Sequence, residues 1–118
     1  MDVIATDEFS QWYDSLDRMF RDSVTTAVDR LEQVGIDLGH PWSSAINDAT
    51  FALRELRVKT SGHALRVFYA FDPSRDAVLI LGGDKSGDGR FYETMVPTCE
   101  QIWRQYLAER QAGLHGQS

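Results

Sequence analysis

Cysteine is almost missing from this chain: 118 residues contain one, Cys99. A single thiol cannot form an internal disulfide, which removes the disulfide-framework folds and fits a reducing cytoplasm. Long apolar runs are missing too. None approaches the roughly 20 residues that a membrane-spanning helix needs, so no transmembrane segment and no membrane partner are expected. The first nine residues, MDVIATDEF, are acidic and lack an apolar centre, so they do not read as a secretory signal. Cations are scarce, with 12 Lys and Arg against 18 Asp and Glu, a net charge of −6 and a pI near 4.9. Bulk affinity for nucleic acid is thereby excluded, because non-specific binding comes mostly from phosphate neutralisation. The histidines, His40, His63 and His115, lie far apart and have no metal-ligand spacing. No metal and no other cofactor is expected.

What is present is the composition of an ordinary globular protein, 42% apolar and 25% charged, long enough to bury one core. The charge is unevenly spread. Ten of the 18 acids, but only three of the 12 cations, fall before Ala49. Residues 53–92 then thread Arg54, Arg57, Lys59, Arg66, Lys85 and Arg90 between short apolar runs. An acidic protein that keeps a local cationic surface calls for an anionic partner.

Val3, Ile4 and Ala5 suit a short edge strand, and Thr6 or Asp7 can cap a helix. Phe9, Trp12, Tyr13 and Leu16 recur at helical spacing, and so do Phe20, Val24, Ala27, Val28, Leu31, Val34 and Leu38. These two stripes predict an N-terminal helical hairpin ended by His40-Pro41, with a loop over residues 42–50. Residues 53–59 alternate, with Leu56 and Val58 on one face and Glu55, Arg57 and Lys59 on the other. Residues 60–63 form a turn. In the next strand Leu65, Val67, Tyr69 and Phe71 oppose Arg66, Phe68 and Ala70. Residues 77–81 are apolar on both faces, as in a central strand, and Gly82-Gly83 is expected to end them. A C-terminal helix carries Met95, Cys99, Ile102, Trp103, Tyr106 and Leu107 on its apolar stripe, with Pro97 in its first turn or at a kink. The expected fold class is α+β: an N-terminal helical hairpin and a C-terminal helix packed on a small twisted antiparallel sheet. Residues 1–112 make a single domain, and residues 113–118 a frayed tail.

The residues LREL-R at 53–57, RVFYAF at 66–71, and an apolar strand followed by a Lys, an Arg and a Tyr resemble the RelE/ParE toxin superfamily. The HigB-like, phage-derived branch is the most similar. The resemblance covers the chain from the helical hairpin to the last helix. It implies the toxin of a type II toxin–antitoxin pair, a metal-independent endoribonuclease that cuts mRNA on the ribosome and stops translation. The implied partners are a helix-turn-helix antitoxin and ribosome-bound mRNA, with operator DNA reached only through the antitoxin. Superfamily alternatives are a ParE-like inhibitor that binds DNA gyrase without catalysis, and a member that only binds its antitoxin. Cleavage by the substrate's own 2′-hydroxyl needs a base, cations for the phosphorane and an acid for the leaving oxygen. The resemblance assigns catalysis to Arg66, Lys85, Arg90 and Tyr92, and RNA contact to Arg57, Lys59 and His63. As an exposed turn residue, His63 also fits plain solvation. Where many members carry paired lysines after the last strand, this chain has Gly83, Asp84 and Lys85.

The remaining signals read as structure. Gly82-Gly83-Asp84-Lys85-Ser86-Gly87 lacks the glycine directly before lysine that a nucleotide phosphate loop needs. Arg54 and Glu55 are expected to pair with each other. Cys99, Trp12, Tyr13, Trp103 and Tyr106 are expected in the core.

Overall fold

The computed structural model describes residues 1–113. The elements are β1 (Val3–Ala5), α1 (Asp7–Ser15), α2 (Arg18–Val34), a 3₁₀ turn (Gly35–Asp37), β2 (Ser43–Ala45), β3 (Arg54–Thr60), β4 (His63–Phe71), β5 (Ala77–Asp84) and α3 (Phe91–Gln111). Together they form an α+β fold with one five-stranded sheet, ordered β1-β5-β4-β3-β2. Of the expected tail 113–118, all but Gly113 lies outside the described residues. No described helix is long and apolar enough to cross a membrane.

The sheet departs from the expected antiparallel one in two places. β1 pairs with β5 in parallel, Val3 opposite Ala77, so the sheet is mixed. Residues 43–45, expected in a loop, form the other edge strand and pair with Leu56, Glu55 and Arg54. The β3–β4 turn is also tighter than expected. Ser61 and Gly62 alone make it, both at positive φ (47° and 77°), the geometry of a two-residue hairpin turn. His63 therefore begins β4 instead of sitting at the tip.

Two cores lie on opposite faces of the sheet. α1 and α2 cover the face of Leu56, Val58, Leu65, Val67, Tyr69 and Leu79. α3 covers the face of Phe68, Ala70, Val78 and Ile80. Side-chain oxygens cap both hairpin helices: Thr6 accepts from the Phe9 N–H, and Asp17 accepts from the Phe20 N–H. α2 stops at Val34, before the expected proline, and Val34 points outward, 47% exposed. The 3₁₀ turn then returns Leu38 to the core.

The Gly-Gly pair does not end β5. A bulge between Phe68 and Tyr69 of β4 leaves Ile80 of β5 as an extra residue, so Ile80 and Leu81 both serve the α3 face. The strand continues through Gly82 and Gly83 because helices press on both of its faces. A Cβ at Gly82 would lie 2.2 Å from the Trp12 ring, and one at Gly83 would lie 2.9 Å from Phe91 and Met95. Pro97 sits inside α3, past its first turn. Cys99 is fully buried on the same helix, and burial, with Glu100 adding repulsion, pushes its thiol up to about 12.

Leu31→Ala should cost about 2 to 5 kcal/mol, since Leu31 is fully buried. Gly82→Ala should cost roughly 1 to 3 kcal/mol through collision with Trp12. Denaturant unfolding of both variants checks this, and an unchanged midpoint for Gly82→Ala would show that Trp12 moves aside freely.

Candidate functional site

The site grows from strand parity. Glu55, Arg57 and Lys59 alternate on β3 and share the α3 face with Arg66 of β4, which pairs directly with Arg57. A carboxylate on a covered face must be paired or pay for desolvation. Glu55 is 3% exposed, and four side chains answer it. The Tyr92 hydroxyl, from the first turn of α3, donates to Oε1 at 2.7 Å. The Ser44 hydroxyl of β2 donates to Oε2 at 3.1 Å. Arg66 Nε stands 3.3 Å from Oε1, and Arg57 Nε 3.6 Å from Oε2.

Arg66 is itself 7% exposed. One of its terminal nitrogens donates to the Leu65 carbonyl, while Nε meets Glu55 at ion-pair distance without hydrogen-bond alignment. Burial pushes the Tyr92 phenol above its ordinary range, and its bond to Glu55 pushes the same way, with Arg66 opposing. The phenol is therefore held protonated and aimed at the carboxylate. Lys85 Nζ lies 5.8 Å from the centre of the Tyr92 ring, a cation over an aromatic face.

Of the expected site residues, the structure thus brings Arg66, Tyr92, Lys85 and Arg57 together. Three stand apart. Arg90 precedes α3 and pairs with Glu93 in the open, at 83% and 70% side-chain exposure. Lys59 is exposed near the end of β3. His63 lies on the opposite face, against Phe20 of α2, with Nδ1 2.6 Å from Asp84. Burial would raise the Asp84 carboxyl, but the Ser86 N–H and His63 outweigh it and hold it below the usual range.

Glu55 is the residue that sequence reasoning missed, because it was paired with Arg54. Neighbours on a strand point to opposite faces, and Arg54 turns instead to Ser43, Tyr69 and the Leu38 carbonyl. The usable signal was an acid in phase with two cations.

Beside Tyr92 a groove of about 560 Å³ runs between β2 and α3, and Asp48, Glu55, Glu93 and Glu100 line it. Four carboxylates make that side repel phosphate, and the cationic side of the cluster is that of Arg57. Among the described residues, no group of three His, Cys, Asp or Glu is placed to hold a metal.

Residues 11–104 match the family described as phage-derived, Gp49-like proteins. The chain is 40% identical over 115 residues to a Mycobacterium tuberculosis protein named "Putative toxin HigB3", covering 96% of this chain and 99% of the relative. It is 28% identical over 106 residues to "Putative toxin HigB2" of the same organism, covering 87% of this chain and 53% of that longer relative.

Tyr92→Phe should destabilise the protein by about 1 to 3 kcal/mol, because a buried carboxylate loses one donor. A phenol raised in the folded state contributes stability that is complete below the ordinary value of about 10 and is lost as pH rises through the folded value. The gap between wild type and Tyr92→Phe should therefore close in strong alkali. Unfolding followed across alkaline pH checks the sign, and a gap that widened there would refute it.

Proposed function

This chain belongs to the phage-derived Gp49-like family, and on that premise we propose that it is the toxin of a type II toxin–antitoxin pair. The resemblance to the RelE/ParE superfamily, together with the HigB names of its relatives, supports this reading. Its activity is cleavage of mRNA on the ribosome, without a metal, in the cytoplasm. The partners are a helix-turn-helix antitoxin encoded beside it, which alone reaches operator DNA, and the translating ribosome. The ribosome supplies most of the affinity, which reconciles an acidic protein with an RNA substrate.

One observation carries the reading: a buried carboxylate is fixed by a tyrosine hydroxyl and bracketed by two guanidinium groups. That set matches the needs of phosphodiester cleavage by a neighbouring 2′-hydroxyl. Glu55 accepts the 2′-proton as the oxygen attacks phosphorus. Arg66 and Arg57 face the charge that builds on the non-bridging oxygens, where fixed donors act most strongly. The new O2′–P bond forms as the P–O5′ bond breaks, giving a 2′,3′-cyclic phosphate. Tyr92 orients Glu55, and the Lys85 ammonium, over the Tyr92 ring, gives its proton to the departing 5′-oxygen. Arg90 and Lys59 are exposed contacts for the RNA chain. His63, held by Asp84 on the other face, has no part in this step.

Expression of the chain alone should arrest growth and leave cut mRNA, mapped by primer extension. Glu55→Gln and Arg66→Ala should each lower cleavage on stalled ribosomes by at least about a hundredfold while remaining folded. Lys85→Glu should also abolish it, and chelators should not. Intact mRNA with altered plasmid supercoiling during arrest would replace this reading with gyrase inhibition.

A further inference from the structure

Beside the Glu55 cluster, the described surface holds a basic groove, about 240 Å³, between α2 and the edge of β3. Arg30, Trp42, Arg57 and Lys59 line it with Ser23 and Thr26, and none of its lining residues is acidic. In a chain of net charge −6 that is a local reversal of sign. Trp42 is 45% exposed even though the Arg30 guanidinium lies 3.8 Å from the centre of its ring. One ring face is thus covered by a cation while much of the indole remains open. The backbone beneath is fixed: the Trp42 N–H donates to the Gly39 carbonyl, and the Trp42 carbonyl accepts from the Arg57 N–H at 2.9 Å.

An open aromatic ring on a rigid backbone, ringed by cations, is the chemistry that holds single-stranded nucleic acid. The ring stacks on a base, and the cations follow the phosphates. The groove is smaller than the roughly 300 Å³ lower bound of drug-sized pockets, so it suits one base and not a whole small molecule. It also adjoins the candidate active site, because Arg57 lines the groove and reaches Glu55.

We propose that this groove is a nucleotide subsite: Trp42 stacks on an unpaired RNA base next to the cleaved phosphate, and Arg30, Arg57 and Lys59 hold the flanking phosphates. The proposal takes its ligand from the endoribonuclease reading, and its test separates the two. The probe is a short single-stranded oligonucleotide with 2′-O-methyl riboses, which has no attacking hydroxyl and reports binding alone. Titrated into the full-length chain, it should quench tryptophan fluorescence. Trp42→Ala should weaken binding by roughly fivefold to a hundredfold and remove most of the quenching, and Trp42→Phe should retain part of the affinity. Arg30→Ala and Lys59→Ala should each lower the salt slope of binding by about one. Melting curves check that each variant is folded.

Equal binding by Trp42→Ala and wild type overturns the subsite, even if the wild type cleaves mRNA. Equal binding of a blunt duplex overturns it too, because paired bases cannot stack on the indole. Failure of the wild type to bind the single strand likewise overturns it, and leaves the groove to a protein partner. Trp42-dependent binding by a chain that cleaves no mRNA upholds the subsite and removes only the nuclease reading.

Discussion

Much of this structure follows from burying one negative charge almost completely at the edge of a groove. Glu55 sits in β3 beneath α3, and an unanswered carboxylate there would cost several kcal/mol. Each answer to it fixes an element. Ser44 ties β2 to the sheet, Arg66 draws on β4, and Tyr92 sets the start of α3. The same side chains that make the charge tolerable are the ones that would handle a phosphate. In the proposed reaction, chemistry and architecture therefore share a set of atoms.

The other end of α3 repeats the device. Tyr106 donates to the buried Asp72 at 2.8 Å, and Arg110 stands 3.8 Å from the same oxygen. Tyr92 and Tyr106 are fourteen residues apart, about 21 Å along the helix and near one face. α3 is thus held to the sheet by a tyrosine and a carboxylate at each end, with apolar packing between. At the far end burial and Asp72 push the Tyr106 phenol up to about 12, so that contact keeps its proton at any ordinary pH. Near the first anchor, Gly83 lets Phe91 and Met95 settle against the strand, as Gly82 lets Trp12 settle from the other side.

Most of the fold was legible because period and parity are properties of sequence. The helical stripes of α1 and α2 and the alternation of β3 and β4 placed nearly every core residue on its correct face. β2 was hidden because Ser-Ser-Ala carries no apolar alternation; its extended form comes from pairing with β3. Gly82-Gly83 looked like a strand end, since glycine weakens strands, but close packing from two helices decides otherwise. The candidate site was legible in its cations and obscure in its acid. Arg66, Tyr92 and Lys85 followed from the family resemblance, whereas Glu55 emerges only when β3 and β4 are set in register. His63 is the reverse case. It is near the cationic strands in sequence, but two-residue parity puts it with Leu65 against α2.

Cys99 gives the protein a built-in clock. Its thiol is fully buried under α3 and raised to about 12, so the reactive thiolate is scarce while the helix stays down. Alkylating reagents then meet sulfur only in molecules that have opened. The rate of labelling, followed by mass, therefore counts excursions of α3 from the sheet without any engineered probe. Because the native thiol is silent, a cysteine introduced anywhere on the surface would carry the only prompt label.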